Sequence, residues 1–383
     1  MRIAIVGCGF VADFYAQTLP NHPELELRAV YDRDVARAGA FSQYHGVPAC
    51  DSLEQLLADE RVELVLNLTN PSSHFEVSKA CLEAGKHVYS EKPLSLDLGQ
   101  AEELVQLAES RGRGLSSAPC NVLSESAQTV WKALREQRIG TPRLVYAELD
   151  DGLIHRMRYR QWRSDSGAPW PWKDEFEVGC TLEHAGYYVT WLAAFFGPAR
   201  TVTSFASCQV PDKETDQPLD RQSPDFTVGC ITFRNGVVAR VTCSIIASHN
   251  HRLQVFGDEG ILSVEECWDY RCPVYLKRRT RWALRLEKWP WISRLLGFEG
   301  RRCPQVRRPQ DRYGYRGTHR MDFARGVADL AAAVQRGRPC TLHARFALHV
   351  NEIVLALQEP ERMGCPRALT TTFEPLSPPE WAV

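Results

Sequence analysis

A chain of 383 residues, 44% apolar and 24% charged, is long enough for two domains with a sizeable core and has the composition of a globular protein. Its net charge of −1 gives no global field toward nucleic acid or an anionic membrane. Thirteen cysteines, an odd number with no C-x-x-C pair, argue against a disulfide scaffold and for reduced thiols in a cytoplasm. Cys267 and Cys272 lack the His/Cys partners of a zinc set, so no metal site is expected. No signal-peptide pattern precedes the first strand, and no apolar run approaches the ~20 residues that span a bilayer.

The chain opens on a β-branched run, Arg2 to Val6, followed by Gly7-Cys8-Gly9-Phe10-Val11-Ala12 and a helical pattern through Leu19. This is G-x-G-x-x-A between a strand and a helix. The first glycine permits the tight turn, and the second lets backbone approach a pyrophosphate. Alanine allows close helix–strand packing, and the helix N-terminus presents N–H groups to phosphate. The backbone of Phe10 and Val11 falls in that turn. A second strand, Leu25 to Tyr31, ends in Asp32, where a carboxylate can accept from both ribose hydroxyls and favours NAD; Arg33 beside it leaves NADP open. Helices are expected over 35–45, to Leu57 and from Ser72 or Ser73 to Ala84, with a strand over 64–68. The short strand Lys86 to Tyr89 then leads into Ser90-Glu91-Lys92-Pro93, placing a glutamate and a lysine at the carboxyl end of a parallel strand. Open α/β sheets bind ligands there. Proline can aim that lysine, in either the cis or the trans form. After a helix through Glu109, Gly114 to Ser117 reads as the last strand of a doubly wound parallel sheet.

The glycine turn, Asp32, Thr69-Asn70-Pro71-Ser72-Ser73-His74 and Gly85 to Leu94 together resemble the glucose–fructose oxidoreductase, inositol dehydrogenase and rhizopine-catabolism (Gfo/Idh/MocA) family in order and spacing across the first 120 residues. The resemblance implies an α/β protein: an N-terminal Rossmann domain over 1–121, and a C-terminal α+β domain over 122–383 built on a large, mostly antiparallel sheet. That sheet's free face commonly pairs copies into dimers or tetramers. By the same resemblance Lys92 contacts the reacting hydroxyl and Glu91 the nicotinamide ribose. Thr69, Asn70 and His74 line the cofactor cleft, and Asn121 lies near the nicotinamide. The family frequently has an arginine after that position, whereas Val122-Leu123-Ser124 stand here.

A helix from Glu125 to Gln137 and a strand from Arg143 to Leu149 follow. Trp162 and Arg163 precede a loop rich in Pro and Trp (Gly167 to Lys173) that could roof a sugar, since a flat indole suits the apolar face of a pyranose. The segment Gly179 to Tyr188 resembles the family's glycine-led motif, Asp then His four residues on, which share one helix face. His184 stands at the aspartate position and Tyr188 at the histidine position. Some sugar and dihydrodiol dehydrogenases that resemble the family also carry tyrosine there. Tyr188 or His184 would then accept the proton that leaves the substrate, with Lys92 lowering the tyrosine pKa.

Antiparallel strands are expected over 200–207, 226–233, 237–247, 252–256 and 260–264, with Asn235-Gly236 as a hairpin turn. A basic aromatic insertion, about 268–315, carries a local charge of +9 over 277–308. Its stretch 277–298 suits weak membrane-surface contact, or packing at a subunit interface. Amphipathic helices are expected over 320–336 and 345–358, with an extended tail from Glu359. The residues together point to an NAD(P)-dependent oxidoreductase acting on a secondary alcohol of a sugar, free or nucleotide-linked. An NAD-dependent glycosidase working through a keto-sugar intermediate is the alternative reading inside this fold. A non-catalytic nucleotide-binding sensor is a third.

Overall fold

The computed structural model describes residues 1–280, 285, 289, 291, 300–308 and 320–383. Strands β1 (Arg2–Val6), β2 (Glu26–Tyr31), β3 (Leu64–Asn67), β4 (His87–Ser90) and β5 (Leu115–Ser117) form an all-parallel sheet in the order β2-β1-β3-β4-β5. Ile3, Ile5, Val65 and Leu66 are fully buried, as strands covered on both faces require. The covering helices are α1 (Phe10–Thr18), α2 (Val35–His45), α3 (Leu53–Ala58), α4 (His74–Glu83) and α5 (Leu98–Ser110). Local chemistry sets their ends. Asp34 accepts from the N–H groups of Ala36 and Arg37, Ser52 from Gln55 and Asp97 from Gln100, while Gly46 closes α2 in the left-handed conformation. Strand order reverses between β1 and β3, and their carboxyl ends open the crevice where such sheets bind ligands.

Helix α6 (Glu125–Arg135) leads into a nine-stranded sheet with the order β13-β12-β11-β10-β6-β9-β8-β7-β14. Its members are β6 (Pro142–Asp150), β7 (Ala199–Ser207), β8 (Phe226–Phe233), β9 (Val238–Ser244), β10 (Leu253–Gly257), β11 (Gly260–Val264), β12 (Tyr275–Arg278), β13 (Arg301–Arg302) and β14 (Arg367–Ala368). Only β6 and β9 run parallel; every other pair is antiparallel. The Asn235-Gly236 turn joins β8 to β9, with Gly236 at φ +89°. Between β6 and β7 the chain makes α7 (Trp172–Val178), a π turn (Thr181–Ala185) and α8 (Gly186–Phe196).

Two expectations near the C-terminus need correction. The first late helix, α9, spans Arg325–Arg336 and does not start at 320. The tail from Glu359 is not simply extended, because Pro360–Met363 form a short helix and β14 pairs with β7. Most of 281–299, and with it the membrane-surface expectation for 277–298, lies outside the described residues. Among the described residues, no helix is long and apolar enough to cross a membrane.

Helix α10 (Ala344–Gln358) locks the two sheets together. It lies against α5 and β5 on one side and β7 and α8 on the other, buried from Phe346 to Gln358. Within it His349 accepts a hydrogen bond at Nε2 from the Ala199 N–H (2.9 Å). A backbone N–H only donates, so Nδ1 carries the ring proton and donates to Thr371 Oγ1 (2.9 Å), which donates to Glu352 (2.7 Å). Burial pushes the His349 pKa down to about 4. The unfolded chain takes up this proton below about pH 6.5, and the folded one only near 4. Stability is therefore full above pH 6.5 and falls by up to roughly 3 kcal/mol as the pH drops toward 4. Thermal melts of wild type and His349→Gln at pH 7 and pH 4.5 check this: the variant, lower at pH 7, should lose less on acidification.

Candidate active site

The nucleotide turn is built as its glycines require. Gly7 has φ +96°, and a Cβ there would lie 2.6 Å from the Leu68 carbonyl group. Gly9 faces open space, with nothing within 4 Å of where its Cβ would stand. Helix α1 starts immediately afterwards at Phe10 with no side-chain cap, so the amides of Phe10 and Val11 remain for an anionic ligand. Asp32, at the end of β2, accepts from the N–H groups of Cys8 and Asp34 (both 2.8 Å), which draws its carboxylate onto the turn. Arg37 approaches it at 3.4 Å, and Arg33 is exposed alongside.

The loops after β3 and β4 are cross-braced. Thr69 Oγ1 donates to Asn67 (2.7 Å), and Asn70 Nδ2 donates to Asp174 of α7 (3.0 Å). His74 does not line the cleft as expected. It is fully buried between the carbonyls of Pro93 (Nδ1, 2.7 Å) and Thr69 (Nε2, 2.9 Å), so it fixes one loop to the other. The Lys92–Pro93 bond is cis. Glu91 accepts from Tyr15 Oη (2.7 Å) and from the Lys92 N–H (3.1 Å).

Lys92 Nζ pairs with Glu183, a residue absent from the sequence-derived site. Burial alone would lower the Lys92 pKa, but Glu183, Glu91 and Glu175 raise it above its usual value. The lysine is thus a fixed ammonium.

The helical motif is displaced by one residue from its expected register. Gly179 (φ +100°) turns the chain, and the side chain of Gln358 accepts from the Leu182 N–H (3.0 Å) while donating to the Val178 carbonyl (2.6 Å). A π turn follows over Thr181–Ala185, adding a residue to the helical ring. Glu183, not His184, therefore meets Lys92. His184 is not free to accept a proton: Nδ1 pairs with Asp151 and Nε2 with Glu175 (3.0 Å). Burial opposes its charge, but those two carboxylates raise its pKa well above the usual value. Tyr188 is fully buried against Trp191, and its hydroxyl donates to the His251 carbonyl. Its neighbour Tyr187 is half-buried against Trp268 (5.5 Å between rings). Burial first, then the fields of Glu91, Cys267, Glu183 and Asp151, push the Tyr187 pKa well up. Glu183 and Tyr187 also stand four residues apart, and an acidic residue at the first of these positions was the signal that could have identified them.

Asn121 donates through Nδ2 to the Tyr187 carbonyl (3.1 Å), and its Oδ1 is buried with no partner among the described residues. A buried acceptor left open there fits a donor from a nicotinamide carboxamide or a substrate. With the open face of Gly9 and the uncapped start of α1, the residues present fit NAD(P).

The Trp-rich loop lies over α1. Ser166 donates to Asp13 from its N–H (3.2 Å) and Oγ (2.7 Å), and Gln17 donates to Asp165 (2.6 Å). Trp162 packs edge-on against Trp170 (5.0 Å), half-buried. Arg163 is exposed and spends its guanidinium on the Arg160 and Trp162 carbonyls, so it is not aimed at a ligand.

Comparison with known proteins identifies the family. Residues 1–118 match the oxidoreductase family, NAD-binding Rossmann fold model of Gfo/Idh/MocA proteins, and residues 127–263 match the Gfo/Idh/MocA C-terminal domain. The trans-1,2-dihydrobenzene-1,2-diol dehydrogenase of Macaca fuscata fuscata is 29% identical over 281 residues, 72% of this chain and 77% of the relative. Among solved structures, the fold is similar to KijD10, a 3-ketoreductase from Actinomadura kijaniata in complex with NADP (TM-score 0.70, 21% identity, 96% of this chain and 98% of that one). It is also similar to UDP-N-acetylglucosamine 3-dehydrogenase GnnA from Acidithiobacillus ferrooxidans (TM-score 0.67, 20% identity, 94% and 96%).

Proposed function

The chain belongs to the Gfo/Idh/MocA oxidoreductase family, and we propose that it transfers hydride between NAD(P) and a ring-borne secondary alcohol or ketone of a sugar derivative. The observation that carries the reading is the Lys92 ammonium, paired with Glu183 at the carboxyl end of β4, in a chain whose glycine turn and uncapped α1 fit NAD(P); Tyr187, four residues on from Glu183, is the phenol we assign to the proton. The similar proteins support the substrate class. Their names describe a 3-ketoreductase, a UDP-N-acetylglucosamine 3-dehydrogenase and a dehydrogenase of a cyclic diol.

The main-chain amides at the start of α1 hold the pyrophosphate, and Asp32 meets the adenosine ribose. Arg33 and Arg37 stand where a 2′-phosphate would be held, so both cofactors are included. Bound nicotinamide supplies or accepts the hydride. Lys92 holds the substrate oxygen and stabilises the negative charge that develops on it. Burial first, and then the fields of Glu91 and Glu183, keep the Tyr187 phenol protonated at rest. It gives its proton to that oxygen in carbonyl reduction and takes it back in alcohol oxidation. Glu183 keeps Lys92 charged and aimed.

The test uses NADH and NADPH deuterated at the transferable position, offered with keto-sugars, keto-sugar nucleotides and cyclic ketols. The expected result is deuterium at a carbinol carbon of one product class, with stoichiometric NAD(P)⁺. Aglycone release without net cofactor oxidation would replace this reading with the glycosidase. Cofactor binding with no transfer to any carbonyl would replace it with the sensor.

A further inference from the structure

Beside the cleft, four side chains from three separate connections converge at one end of neighbouring strands. Asp151 directly follows β6, His249 and His251 lie between β9 and β10, and Glu266 follows β11. One potential ligand atom from each of Asp151, His249 and His251 lies within 4.8 Å of the other two. The arrangement of the second carboxylate sets this group apart from an ordinary ion-pair cluster. Glu266 accepts from both imidazoles at once: Oε1 faces His251 Nδ1 at 2.9 Å, and Oε2 faces His249 Nε2 at 3.3 Å. The opposite nitrogens, His251 Nε2 and His249 Nδ1, both turn to one oxygen, Asp151 Oδ1, at 2.8 and 4.0 Å. The other Asp151 oxygen is held by His184. An imidazole whose far N–H is fixed on a carboxylate turns its near nitrogen toward a metal, as in metal-ligating histidines; here an ion would displace the proton that His251 Nε2 shares with Asp151 Oδ1. Here one glutamate orients two of them toward a single anchored carboxylate.

We propose that Asp151, His249 and His251 bind a divalent transition-metal ion of the zinc class, with Glu266 as the residue that positions both imidazoles. Two imidazoles and a carboxylate suit such an ion, and three protein ligands leave a coordination position for water or a substrate oxygen. His249 is 58% exposed on its side chain, which gives the ion a way in. The Trp268 ring lies against His251 (4.4 Å), His184 (5.9 Å) and Tyr187 (5.5 Å), so the ion would stand at the wall of the substrate cleft. Sequence reading overlooked the set because it searched cysteine spacings. Only His249-x-His251 is local, and Asp151 is about a hundred positions upstream.

The proposal stands apart from the hydride-transfer reading, and its test needs neither cofactor nor substrate. Full-length protein, stripped with a chelator and dialysed, is titrated calorimetrically with Zn²⁺. One ion should bind per chain, with Kd in the micromolar range or below. His249→Ala should weaken binding about 100-fold or abolish it, and Glu266→Gln should weaken it about 10- to 100-fold. Cys267→Ser should leave it unchanged, which separates this set from the adjoining His251, Glu266 and Cys267 group. His249 is exposed, so its variant should keep the wild-type melting temperature and NADPH affinity. No saturable binding by the wild type overturns the proposal. So does equal affinity in wild type and His249→Ala, which would mark an adventitious ion only. Loss of binding in Cys267→Ser would overturn the ligand set.

Discussion

Lys92→Met is expected to lose at least ~10²-fold in turnover while binding NADPH within about threefold of wild type. The loss corresponds to about 2.7 kcal/mol of transition-state stabilisation, the scale of removing one preorganised donor from a dry site. Its cause is specific. Lys92 is the cation that Glu183, Glu91 and Glu175 surround, and methionine keeps the length of the stem but offers no donor and no charge. Removing the ammonium leaves Glu183 without this partner, so a lower melting temperature accompanies the kinetic loss. Cofactor binding separates the two effects. The pyrophosphate turn at Gly7–Gly9 and the Asp32 carboxylate do not touch Lys92, and nicotinamide quenching of the ten tryptophans should still report it. Unchanged turnover would remove Lys92 from the chemistry.

What the sequence disclosed, and what it hid, follows from how local each determinant is. Gly7, Gly9, Asp32 and Glu91-Lys92-Pro93 were legible because the chemistry lies in the spacing itself: a strand, a turn that only glycine can make, and a helix start. Both sheets were legible for the same reason, through continuous apolar runs in the first and the Asn235-Gly236 hairpin in the second. The register of the second motif was not. Reading Gly179 to Tyr188 as regular α-helix puts His184 and Tyr188 on the working face. The π turn brings Glu183 to Lys92 instead, and it depends on tertiary partners. Gln358 comes from 176 residues away to meet the Leu182 N–H, and Asp151 and Glu175 hold His184 aside. His74 was found at the right place but with a different duty, since only the folded loops show that carbonyls occupy both its nitrogens. The role given to Trp162 rested on composition, which could not reveal that Trp170 already takes its ring face-to-edge.

If Tyr187 delivers the proton, Tyr187→Phe removes the donor, and turnover should fall by ~10²-fold or more. The packing of the ring on Trp268 is retained, so stability and NADPH affinity should barely change. Tyr188→Phe deletes a core hydrogen bond to the His251 carbonyl. It should cost about 1 kcal/mol of stability and leave turnover within about threefold. The direct measurement is single-turnover transfer of deuterium from labelled NADPH in the two variants, compared side by side with wild type on the same carbonyl substrate. The account predicts a collapse of the transfer rate in Tyr187→Phe and a near-normal rate in Tyr188→Phe. The reverse order would contradict it, returning the chemistry to the unshifted helix and leaving the π turn without a functional role.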